Sequence, residues 1–132
     1  MFLNRLNMKE KTAFLFMAHH IAHADGEFCS REQLVIDKYC MEMQVDDVEY
    51  SASEFNLADQ LAAFEKDSHK KIALLELMAL VFSDEVYHPA EKVVIDEIVE
   101  IFELNPNLAI VYKEWAKSIL SLFIQGEALI HI

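Results

Sequence analysis

The sequence predicts an all-α protein: a compact bundle of about six to seven helices built from two related helical-hairpin repeats. Three observations predict it. Only two Gly and two Pro occur in 132 residues, too few for a many-turned all-β chain and suited to helices joined by short connections. Apolar residues fall at helical spacing through most of the chain, and no segment alternates with a period of two, so no strand is expected. Helix starts are marked by Ser30-Arg31-Glu32-Gln33, His88-Pro89 and Asn105-Pro106, a capping box and two N-terminal prolines. With 54% hydrophobic and 26% charged residues, the chain is a folding sequence. Its length sets residues 1–132 as a single domain that buries a core without disulfides.

Met1 to Met8 carry Phe2, Leu3 and Leu6 and read as a short turn tucked onto the body. From Lys9 to Ala24 the pattern is helical and apolar on several sides, which predicts a central helix. Gly26 is a natural left-handed stop. Ser30 is the expected N-cap of the next helix with Gln33 its partner, and Leu34, Val35, Ile36, Tyr39 and Met43 its apolar positions. This completes a first repeat over about 9–43. Asp46-Asp47-Val48-Glu49 and Ser51-Ala52-Ser53-Glu54 predict connecting helices over about 46–66, a short one near 46–51 and a longer one near 54–65. A second repeat spans about 68–104, with helices near 69–83 and from Pro89 to Leu104. The last helix covers about 107–125, where Gly126 stops it, and the closing Ala-Leu-Ile-His-Ile packs back on the body or on a neighbour.

An offset of 59 residues relates the two repeats. It brings Asp25 onto Asp84, Glu32 onto Glu91, Ile36 onto Ile95, Leu34 onto Val93 and Met43 onto Phe102. Asp25 and Asp84 fall at the C-terminal ends of helices, where the macrodipole disfavours negative charge. Glu32 and Glu91 line up with the apolar stripes of their own helices, whereas Asp96, Glu100 and Glu103 form an outward stripe. Two readings of these acids compete. In one, Asp25 and Asp84 accept hydrogen bonds from the free N–H groups of their turns, and Glu32 and Glu91 profit from the N-terminal dipole. In the other, Asp25, Glu27, Glu32, Asp84 and Glu91 offer hard oxygen ligands to a divalent cation, Ca²⁺, Mg²⁺ or Mn²⁺ before Zn²⁺. The turn is not an EF-hand, because it lacks the run of oxygen ligands and Ile36 stands near the place of the closing Glu.

At these residues the chain resembles the tellurite-resistance protein B (TerB-like) family. The resemblance rests on Ala24-Asp25-Gly26-Glu27 with Ser30 and Glu32, and on the second helix start with Asp84, Pro89 and Glu91. It covers about residues 9 to 104. It implies a compact all-α cytoplasmic module of two hairpins, associated with metal or oxyanion stress and acting through protein partners, some membrane-bound in relatives. It implies no enzymatic activity, and it implies metal coordination by Asp25, Glu32, Asp84 and Glu91. The second copy departs from the pattern, reading Ser83-Asp84-Glu85-Val86 in place of Ala-Asp-Gly-Glu. The alternative function is a metal-free acidic helical adaptor.

The formal charge of −12 repels phosphate backbones and anionic lipid, so nucleic acid is not an expected partner. Residues 1–66 and 67–132 each carry −6. The longest apolar run, Ile72 to Phe82, is broken by Glu76 and is shorter than the roughly 20 residues of a membrane span. Ala22-His23-Ala24 superficially resembles a signal-peptidase site, but the apolar run before it is short and broken by His19-His20, so a cytoplasmic protein is expected. Cys29 and Cys40 form no Cys-x-x-Cys pair and are expected to be idle thiols.

His19 and His23, one turn apart beside Asp25, are the rival site: with a transition metal they would suit a hydrolase. Their counterparts at the offset are Met78 and Phe82, which favours packed core or boundary imidazoles. No zinc-protease His-Glu-x-x-His, adjacent His-Asp pair, phosphate loop or nucleophile elbow is present, and no organic cofactor is expected. Glu85-Val86-Tyr87-His88 fits Glu-x-x-His once, where a di-iron bundle needs two copies inside long helices. Tyr112 and Trp115 are expected to anchor the core.

Overall fold

The computed structural model describes residues 1–83 and 87–132. Among these residues there are six α-helices and no strand: α1 Met8–Ala22, α2 Ser30–Met43, α3 Leu57–Leu61, α4 Asp67–Val81, α5 Pro89–Ile101 and α6 Pro106–Ile130, preceded by a 3₁₀ turn at Leu3–Arg5. The all-α bundle is as the sequence predicts.

α1 lies in the middle because it is apolar all round. Phe14, Leu15, Met17, Ala18 and Ile21 are all buried, more than one face of a helix holds. It packs against α2, α3, α4 and α5. α4 is its counterpart, burying Leu74, Leu77, Met78 and Leu80 against α1 and carrying α6 on another side. Ile36, Tyr39 and Met43 of α2 and Ile95 and Ile98 of α5 close the core.

Helix ends recur at a fixed interval. α1 starts at Met8 and α4 at Asp67, 59 residues on; α2 starts at Ser30 and α5 at Pro89, the same distance. The N–H of Cys29 donates to Glu32 Oε1 at 3.1 Å, and the N–H of His88 donates to Glu91 Oε1 at 3.1 Å. At the other ends, Gln44 and Glu103 are both left-handed, with φ of 56° and 57°. Val45 N–H reaches back to the Cys40 carbonyl and Leu104 N–H to that of Val99, closing a Schellman motif in each case. No glycine marks either site, so this correspondence is invisible to a reading that looks for Gly at helix ends.

Several local expectations need correction. Cys29, and not Ser30, precedes α2, and Glu32, not Gln33, closes on it. Leu34 is exposed and supplies nothing to the core. The helix expected near 46–51 does not form, because Asp47 Oδ1 is taken up by Val48 N–H and by His19 Nε2, each at 2.8 Å. Of the helix expected over 54–65 only Leu57–Leu61 is helical: Ser51 accepts from Glu54 and Phe55 N–H in a turn, and Asn56 caps the helix instead through Asp59 N–H. Gly26 is left-handed as expected, with φ of 82°. Gly126 is not a stop: α6 runs through it to Ile130, and the closing residues stay exposed and do not pack back on the body. A helical Gly costs only about 1 kcal/mol, which Ala128 and Leu129 beyond it help to offset.

Candidate functional site

Three places carry the side chains or surface that chemistry or binding needs: the acidic turns, the histidine cluster and the surface of α6. In the first turn, Asp25 Oδ1 accepts the N–H of Glu27 at 3.0 Å and its Oδ2 lies 3.4 Å from His88 Nε2. The turn after α1 therefore sits against the start of α5. Glu27 points to solvent. Glu32 and Glu91 are buried, each folded back on the N–H of the residue that caps its own helix. That position also suits their charge, since the helix N-terminus is the positive end of the dipole. Asp84 and Glu85 lie outside the described residues. Among the described residues, no three His, Cys, Asp or Glu side chains converge as a metal ion needs. Asp25 thus accepts within its turn, Glu32 and Glu91 accept at the starts of their helices, and Glu27 is exposed.

The histidines form a stack. His23 lies on Phe28 with ring centroids 4.2 Å apart and on Tyr50 at 4.9 Å, and His20 lies on Phe55 at 4.0 Å. One nitrogen of each ring is hydrogen-bonded. His23 Nδ1 donates to the His19 carbonyl at 2.6 Å, His20 Nδ1 meets Tyr50 Oη at 2.8 Å, and His19 Nε2 donates to Asp47 Oδ1 at 2.8 Å. His19 is buried, and its Nδ1 has no hydrogen-bond partner. Among the described residues, no third His, Cys, Asp or Glu joins His19 and His23 in a group that could hold a metal ion. Burial lowers the His20 pKa, and the nearby His23 adds to this while Glu97 opposes it. Burial raises Asp47, but the hydrogen bonds from His19 and Val48 outweigh it and leave the carboxyl below its usual value. Cys40 is pushed up to about 11 by burial and by Asp47, Asp37 and Asp46, so it is an inert thiol.

Two buried glutamates escaped the sequence reading. Glu10 closes a capping box with Asn7 and accepts from His69 Nδ1 at 2.8 Å. Glu76 accepts from the Met1 ammonium at 2.9 Å and from Phe2 N–H at 3.0 Å, while Glu42 takes the same ammonium at 2.8 Å. Burial lowers the Met1 amine and the two carboxylates more than reverse this, so its pKa is raised. Signals existed. Asn7-x-x-Glu10 is a capping pattern ahead of an apolar run, and a lone Glu inside Ile72–Phe82 asks for a buried partner.

The surface of α6 differs from all of this. Of its 25 residues only Ala116 is buried. It packs on α4 and α5, with Trp115 half-buried near Phe2 at a ring distance of 6.3 Å. Its second half exposes Leu122, Phe123, Ile124, Leu129 and Ile130, each more than half accessible. Ile119, Leu122, Phe123, Gly126 and Ile130 line a shallow open groove along it. No described helix is long and apolar enough to cross a membrane. The chain matches no known protein family, no curated protein and no solved structure.

Proposed function

We propose that the chain is a non-enzymatic, metal-free acidic helical adaptor, cytoplasmic and TerB-like in kind, that works through a protein contact on the second half of α6. The observation that carries this reading is the unpaired apolar surface of that half-helix on an otherwise acidic molecule. Large exposed apolar patches on soluble domains mark interaction sites. Among the described residues, Asp25, Glu32 and Glu91 accept from backbone N–H groups, and Asp25 also lies beside His88, which supports the metal-free form over the cation-binding one. The recurrence of helix starts and caps at 59 residues supports descent from two related hairpins. The TerB-like relation rests on that recurrence and on the Ala24–Glu27 turn.

Thermal melts in excess Ca²⁺, Mg²⁺, Mn²⁺ and Zn²⁺ test the metal-free reading. A specific ligand at 100 times its dissociation constant adds about 2.7 kcal/mol of stability, and no such shift is expected here. A shift abolished by Asp25→Asn with Glu32→Gln would restore the cation site and overturn the reading.

A further inference from the structure

The occupant of the α6 surface can be read from charge and spacing. Residues 1–105 carry nine Lys and Arg against twenty-one Asp and Glu, hence all of the net −12, whereas residues 106–132 carry Lys113 and Lys117 against Glu114 and Glu127 and are neutral. A basic partner is drawn to the acidic body, for example to the groove between α5 and α6 where Asp96, Glu100 and Glu103 rim Val99 and Leu104. An anionic lipid surface is repelled by that body. In a two-fold contact, each patch meets a copy of itself, so an acidic patch repels and a neutral apolar one attracts.

The spacing agrees. Trp115, Ile119, Leu122, Gly126 and Leu129 follow one another by four, three, four and three residues, the period of a seam that pairs helices. The body covers the beginning of this seam at Trp115, and the stripe continues past it with Leu122 and Leu129 exposed. Gly126 sits on that seam inside the helix, and a Cβ added there would meet nothing within 4 Å. Nothing within the chain thus requires a glycine at this place. A close helix partner would.

We propose that the second half of α6 pairs with the same segment of a second copy of this chain, antiparallel, with Ile119 of each copy seated over Gly126 of the other. The antiparallel sense follows from electrostatics: it sets the two −12 bodies at opposite ends of the helix pair, where a parallel pairing would set them side by side. This rests on the adaptor reading and names its partner.

Sedimentation equilibrium on the full chain tests it. The expected result is a reversible monomer–dimer equilibrium, with a mass of twice 15.3 kDa at the higher concentrations. Leu122→Glu is expected to leave a monomer with unchanged far-ultraviolet circular dichroism. Gly126→Leu, which overfills the seam, is expected to weaken the dimer about tenfold. Association tightened by Gly126→Leu overturns the seam, because general stickiness grows with added apolar surface. In a Cys29→Ser background, Ile119→Cys mixed with Gly126→Cys is expected to give cross-linked heterodimers, and self-linked Ile119→Cys chains would overturn the antiparallel geometry. A wild type that stays monomeric overturns self-pairing. If that monomer binds a different protein through Leu122, the adaptor reading survives. If it partitions onto phosphatidylcholine vesicles instead, or if Leu122→Glu changes no association at all, both readings fall.

Discussion

The body formed by α1 to α5 and the second half of α6 solve opposite problems. Inside the body, charge is hidden and paired: Glu10 with His69, Glu76 with the Met1 ammonium, and Glu32 and Glu91 with the N–H groups that start their helices. On α6, apolar surface is shown and unpaired, from Leu122 to Ile130. A buried carboxylate is tolerated only when hydrogen bonds replace its water, so the body is complete in itself. An exposed apolar seam gains stability only by being covered. The body is closed on itself, and the second half of α6 is open.

The largest effect that sharpens this contrast comes from one residue type in the two settings. Phe14→Ala, at a fully buried site of α1, is expected to cost about 3–5 kcal/mol in urea unfolding. Phe123→Ala, at a site 65% exposed on α6, is expected to stay within about 0.5 kcal/mol under monomeric conditions. A comparable loss at both would mean that α6 is part of the cooperative core, and the contrast would break.

Within the body, removing a cap is the next largest effect. Glu32→Ala and Glu91→Ala should each destabilise by about 1 kcal/mol, measured as a shift of the urea midpoint with unchanged slope. Each side chain accepts from the N–H of the residue before its helix at 3.1 Å, and it is the loss of this contact that the shift reports.

The smallest effect is a pH dependence in the histidine stack. His20 has a lowered pKa in the folded protein, so the unfolded chain takes up its proton first as pH falls. Its contribution to stability is therefore fully present above the unfolded value of about 6.5 and declines as pH drops from there towards the folded value. His20→Gln is expected to flatten the melting temperature across that window. An unchanged slope would assign the dependence to another group.

Much of the fold was legible in the sequence because helices declare themselves locally. The spacing of Phe14, Met17 and Ile21, the proline at 89 and the Gly at 26 each act within a turn or two of chain. The contacts of Asp25, Glu32 and Glu91 are equally local, joining residues two or three positions apart. The sequence nevertheless left them open between turn contacts and cation ligands and assigned the cap of α2 to Gln33. The segment 46–56 was misread because its outcome depends on a residue elsewhere. Its capping patterns promise helix, but Asp47 answers to His19, 28 positions away, and propensity is a weak prior against tertiary demand.

Sequence alone was enough for the all-α class and for where the long helices start, since these follow from contacts a few residues apart. The tertiary structure alone decided which partners meet the buried charges: Glu10 and His69 are 59 positions apart, Glu76 and Met1 75. It also decided the fate of α6. Tyr112 and Trp115 read as core anchors and the closing residues as packing on the body or on a neighbour, but burial requires a surface to lie on. α4 ends at Val81 and leaves the second half of the longer helix overhanging, with its seam open.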